Sequence, residues 1–141
     1  MERSPDADLA ERLRRLARHL PILESPGFAF GAWEPSTTDA EGVVHLGWYV
    51  FSPEAEAFLA DARAFVSPFD WPTWAGSAQG QALLAGPEAV ASASAEDLGR
   101  LLTTFIRSER FGDGTLESAF KRGMLTAIAR RAAVLATEPP A

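Results

Sequence analysis

The chain has 141 residues, 47% of them hydrophobic. That length supports one core of ordinary size, so the expectation is a single domain over 1–141 with loose ends at 1–4 and 137–141. A formal charge of -6 and a pI near 4.9 argue against nonspecific binding to nucleic acid or anionic lipid, which need surplus lysine and arginine. With no cysteine, no disulfide or thiol nucleophile is available. The first residues lack a signal-peptide core, and no apolar run approaches roughly 18 residues, so the expectation is a cytoplasmic protein away from membranes.

Ser4 and Pro5 predict a helix that runs to Leu20 and is ended by Pro21, with Leu9, Leu13, Leu16, Ala17 and Leu20 on one face. Arg12, Arg14, Arg15 and Arg18 follow Asp6, Asp8 and Glu11. Acids early and bases late suit the helix dipole, so this cluster reads as a solvated face and not as a nucleic-acid patch. His19 reads as a capping or surface histidine. Residues 28–33 predict a strand, 34–42 a loop, and 43–51 a second strand that is apolar on both faces apart from His45 and Gly47. The two strands predict an antiparallel hairpin covered by helices, since a lone two-stranded sheet is only marginally stable. His45 lacks a second metal ligand at suitable spacing and reads as a strand histidine with a local hydrogen bond.

Ser52-Pro53-Glu54 predicts the cap and first turn of another helix, with Ala55, Phe58, Leu59, Ala62, Phe65 and Val66 as its stripe. Asp70 can cap a short helix that sets Trp71 and Trp74 on one side, as core or as a pocket wall. A short helix over 79–84 and a break at Gly86-Pro87 follow. Ser94 and Asp97 form a capping box for a helix whose arc holds Leu98, Leu101, Leu102, Phe105 and Ile106. Gly112-Asp113-Gly114 breaks it. Thr115 can cap the return helix, whose arc holds Leu116, Phe120, Met124, Ala127, Ile128 and Leu135, so the C-terminal part predicts an antiparallel helical hairpin.

Several segments together resemble a known family. They are residues 20–24, 28–33, Ser52-Pro53-Glu54-Ala55, 69–74 and 101–111, followed by Gly123, Ile128 and Arg130-Arg131. In this order they resemble the bacterial family of unknown function numbered 6508, over nearly the whole chain. The resemblance implies no chemistry. Members often carry Cys-Glu-Gly-His where this chain has Gly112-Asp113-Gly114-Thr115, so thiol or histidine chemistry at that turn is unavailable here.

No phosphate loop, dinucleotide fingerprint, His-Glu-x-x-His or Gly-x-Ser-x-Gly is present. One polar constellation stands out. On the outer side of the Ser94-capped helix, opposite the leucine stripe, Arg100, Thr103, Arg107 and Arg110 fall within about 80° on the helical wheel and suit an anion, because arginine forks bind carboxylate or phosphate in bidentate fashion. The competing reading pairs them with the protein's own acids, on the N-terminal helix or the Ser52 helix, and it is the favoured one. Glu109 falls inside the apolar arc, so it should sit at a frayed end or pair with a cation, and Arg131 raises the same question.

The fold expected is α+β and mainly helical, with about five helices around a small two-stranded hairpin. The function expected is noncatalytic binding, without metal or cofactor, of a protein partner or a small anionic ligand. The alternative is a carboxylate-dependent hydrolase or transferase using Asp70, Glu109 or Asp113 beside Arg107 and Arg110. A pocket walled by Trp71, Trp74 and these arginines would favour a ligand or an enzyme. Oligomeric state is not legible in the sequence.

Overall fold

The computed structural model describes residues 5–112 and 114–137. Ser4, Asp113 and the segments 1–4 and 138–141 lie outside the described residues. Helix α1 spans Pro5–Ala17. It ends three residues before the expected Leu20, and a second short helix, α2 (Leu20–Leu23), carries Pro21 in its first turn. Pro21 opens this helix because its missing N–H and fixed φ suit a first turn.

The hairpin is built in two pieces on one register. Strand β1 (Gly31–Glu34) pairs with β4 (Trp48–Phe51), and β2 (Thr37–Thr38) pairs with β3 (Val44–His45), both antiparallel. Strand β1 is shorter than the expected 28–33 because Phe28 and Phe30 leave the ladder to pack on the body. The ring of Phe30 stacks on Phe120 at 5.0 Å, and Phe28 meets Phe120 edge-on at 5.6 Å. The second strand breaks at Leu46-Gly47, where a side chain on Gly47 would fall 2.4 Å from the Glu34 carbonyl oxygen. Part of the expected loop is therefore strand, and the turn closes where the Asp39 N–H donates to the Val43 carbonyl (3.0 Å).

Helix α3 (Pro53–Ala62) is capped by Ser52, whose hydroxyl accepts from the Ala55 N–H, and a 3-10 turn (Arg63–Phe65) continues it. Next come α4 (Trp71–Gly76), α5 (Ala78–Leu84) and α6 (Pro87–Val90). Helix α7 (Ala95–Glu109) starts at the expected capping box, with both reciprocal bonds present between Ser94 and Asp97. The chain returns through α8 (Thr115–Lys121) and α9 (Met124–Thr137), which complete the C-terminal helical hairpin. The return arm is in two helices because Gly123, at φ +80°, takes a left-handed conformation between them. The protein is thus α+β and mainly helical, with nine α-helical segments among the described residues, five of them of seven residues or fewer, where about five helices were expected.

The core lies between α1, α3, α7 and α9. Helix α9 packs along α1 and touches α6 and α8, while α7 touches the 3-10 turn, α4, α8 and α9. Leu16, Phe58, Leu98, Leu101, Leu102, Met124, Leu125 and Ile128 are fully buried. The hairpin departs from the expectation of covered faces. Tyr49 is buried and Phe51 half-buried against the body, but Trp33, Val44, Leu46, Trp48 and Val50 are exposed. No helix among the described residues is long and apolar enough to cross a membrane.

Candidate functional site

Helices α3 and α7 bring basic side chains to the same gap. Leu59, Arg63 and Val66 follow at spacings of four and three, so the apolar stripe of α3 runs into an arginine at the helix end. On α7, Arg110 lies one turn after Ile106, with Arg107 beside it. Together with Phe51, Glu109 and Leu116 these residues line a hollow of about 540 Å³. Phe51, Leu59, Val66, Ile106 and Leu116 make its apolar lining. Its ionisable lining is three guanidiniums and one carboxylate, a local surplus of two positive charges in a chain of net charge -6.

Glu109 is not frayed, and no ion pair among the described residues involves it. Its Oε2 accepts the Gly114 N–H at 2.9 Å and its Oε1 the Leu116 N–H at 2.8 Å. It caps α8, whose N-cap residue Gly114 has no side chain for that task and takes φ +106°. Thr115, the expected cap, is instead the first helical residue, and its hydroxyl donates to the Gly112 carbonyl (3.2 Å). Arg131 is half-buried and plays the opposite role, with its Nε donating to the Ala93 carbonyl at 2.7 Å, ahead of α7.

The four residues of the wheel constellation do not stay together. Arg100 pairs with Glu96 and Asp97 on its own helix. Thr103 is fully buried and accepts the Ser67 N–H at 3.2 Å. It was expected on the outer side, but the 3-10 turn and Ser67 pack on the flank of α7 that the leucines leave open. Arg107 and Arg110 remain, joined by Arg63. Ion pairs among the described residues use Arg14, Arg15, Arg18, Arg100, Lys121 and Arg130, and none involves Arg63, Arg107 or Arg110. A clamp on the protein's own carboxylates therefore describes Arg100 and not the other two.

Asp70 caps α4, accepting from the Thr73 N–H (3.2 Å) and the Thr73 hydroxyl (2.7 Å). Trp71 is half-buried and lies against the exposed Phe111, with ring centroids 6.4 Å apart, so it is not core. Trp74 is half-buried against the core and meets Phe69 at 6.2 Å, and its indole N–H has no acceptor among the described residues. None of the three lines the arginine-rimmed hollow or the shallow one of about 800 Å³ beside Trp33 and α8. Asp70 and Glu109 both hold backbone amides, and Asp113 lies outside the described residues.

The cations of the N-terminal basic cluster are engaged. Arg12 donates to the Ala64 carbonyl and lies over the Phe65 ring, Arg14 and Arg15 share Glu11, and Arg18 reaches Asp61. His19 is buried, not superficial, with Nε2 2.6 Å from Asp61 Oδ2 and its ring edge-on to Phe58. His45 makes the local contact expected of it, with Nε2 3.0 Å from Asp39 Oδ2. That contact and the amides of Val43 and Glu41 hold the Asp39 carboxyl below its usual range. The Tyr49 hydroxyl is pushed up to about 12, first by burial and then by the carboxylates of Glu117 and Glu109.

Arg63 is the lining residue that the sequence reading missed. Its signal was available, since a cation at the i+4 position of an otherwise apolar stripe marks where a helix face leaves the core. No curated protein and no solved structure matches the chain. The model of a family does match, over residues 9–138, and the chain belongs to that family of unknown function, DUF6508.

Proposed function

We propose that the protein is a noncatalytic binding protein whose arginine-rimmed hollow takes a small anion with an apolar body. One observation carries this reading: Arg63, Arg107 and Arg110 line a single hollow with a largely apolar surface, and the ion pairs of the described residues leave all three out. Guanidinium groups held near one another repel, and a carboxylate or phosphate relieves that repulsion with bidentate hydrogen bonds. The apolar lining adds affinity by removing hydrocarbon from water, at about 25 cal/mol per Å². An acidic side chain of a partner protein would meet the same rim. A cytoplasmic setting belongs to the proposal and suits a chain without cysteine.

The test uses decanoate as the apolar anion, with decanol and acetate standing for its apolar and anionic halves, followed by calorimetry. Decanoate is expected to bind more tightly than either half. Replacing Arg107 and Arg110 together by Gln should weaken decanoate at least about tenfold. The same change should leave the stability within about 0.5 kcal/mol of the parent, as Arg110 is exposed, Arg107 is half-buried, and charges without an ion-pair partner that water can reach contribute little to folding. A double variant that binds decanoate as well as the parent would refute the proposal. A loss of several kcal/mol of stability would show the arginines to be a structural clamp after all.

A further inference from the structure

We propose that the outer face of the β-hairpin is a docking surface for a basic amphipathic helix of a partner protein. In the paired register Gly31 faces Phe51 and Trp33 faces Tyr49, and this set of side chains turns toward the body. Tyr49 is buried, Phe51 meets Phe30 at 5.7 Å, and the Trp33 indole N–H donates to Glu117 Oε2 at 2.8 Å. The alternate positions point the other way. Val44, Leu46, Trp48 and Val50, each two residues from the next, are 58%, 79%, 52% and 41% exposed. Their exposed area is roughly 400 Å², within the range of the largest apolar patch on a typical monomer, which is often functional.

A two-stranded sheet needs a third strand or a packed helix for independent stability. The body supplies cover on one face only. What belongs on the other is set by charge. No lysine or arginine occurs between Arg18 and Arg63, while Glu34, Asp39 and Glu41 lie on the hairpin. Asp39 is taken up by the Glu41 and Val43 amides and by His45. Glu34, directly opposite Trp48 in the register, sits at the edge of the apolar stripe, and Glu41 lies in the turn. A helix with leucine-like residues on one side and lysine or arginine along its flanks would cover the stripe and meet both carboxylates. That is the helix-on-sheet arrangement the body uses for the opposite face. A second copy fits poorly, because stacking this face on its duplicate sets one acidic surface against another, with no lysine or arginine on either hairpin.

The probe is a synthetic Leu-Lys peptide of about 14 residues with helical period, long enough to be helical once docked. Its Leu-Glu counterpart is the control. Titration into isotopically labelled protein should shift the amides of β3 and β4 and the Trp48 indole, with affinity falling as salt rises. Replacing Leu46 and Trp48 by Ser should weaken the Leu-Lys peptide at least about tenfold, with the melting temperature unchanged because both side chains are exposed. Three results would overturn the proposal. They are no shifts at about 1 mM peptide, equal binding of the Leu-Glu control, or a concentration-dependent dimer in sedimentation that the Leu46/Trp48 double variant abolishes, which would make the occupant a second copy.

Discussion

Removing the Glu109 carboxylate should unfasten the start of α8. Glu109→Ala leaves two amides, those of Gly114 and Leu116, without their acceptor. Bonds to a charged acceptor contribute about 1.5 kcal/mol each at the low end, or about 3 kcal/mol for the pair. Glu109 is half-buried, so water can re-enter at the helix end, and the expected loss is nearer 2 kcal/mol, the upper end for helix caps. At about 3–4 °C per kcal/mol for a chain of this size, the melting temperature should fall by about 6–8 °C. Glu109→Gln keeps one acceptor and loses the charge facing the helix N-terminus, and should cost about half as much. Urea denaturation gives the stability, and the titration of Tyr49 gives an independent sign, because the Glu109 carboxylate is among the groups that hold the phenol up. Both variants should lower the Tyr49 value. If Glu109→Ala melted with the parent at an unchanged denaturant slope, the capping role would be refuted.

Other expectations follow from the core and from close backbone contacts. Leu102→Ala, at a fully buried position, should cost about 2–5 kcal/mol, checked by the shift in urea midpoint. Gly80→Ala places a methyl group 2.0 Å from the Trp74 carbonyl oxygen, so about 3 kcal/mol of strain should outweigh the roughly 1 kcal/mol gained in helix propensity; a more stable variant would contradict the α4–α5 packing. Tyr49 is the sole tyrosine, so near-ultraviolet titration reads it directly, with a midpoint near 12 in the folded protein and near 10 in denaturant. Because the unfolded chain releases this proton first, its contribution to stability is whole below pH 10 and declines between pH 10 and about 12.

The helical part of the fold was legible because its signals are local. Ser52, Asp70 and Ser94 each cap the helix their neighbours predict, and the capping box at Ser94 and Asp97 is complete. Breaks were harder to read. Gly123 sits within an unbroken apolar arc, and only its left-handed backbone splits α8 from α9. The hairpin's exposure was misread for a related reason: a run that is apolar on both faces looks the same whether or not the second face is covered. At the candidate site, Arg107 and Arg110 could be named from the wheel, whereas Thr103 was assigned to the wrong side. A wheel shows only which residues share an arc, and here Ser67 and the 3-10 turn enclose the flank that it marked as open.

The hairpin's composition also determines how proteases will see the molecule. Trypsin cuts after lysine and arginine, and between Arg18 and Arg63 it finds neither, so the most exposed strand segment offers it no bond to cleave. Chymotrypsin and a glutamate-specific protease meet the opposite situation, with Leu46 and Trp48 on the outer face and Glu41 in the turn. Limited digestion with those two enzymes should nick the arm first, while trypsin under native conditions should leave it intact. An occupant lying across Val44, Leu46, Trp48 and Val50 would therefore register as slower chymotryptic cleavage at Leu46 and Trp48, without any label on either molecule.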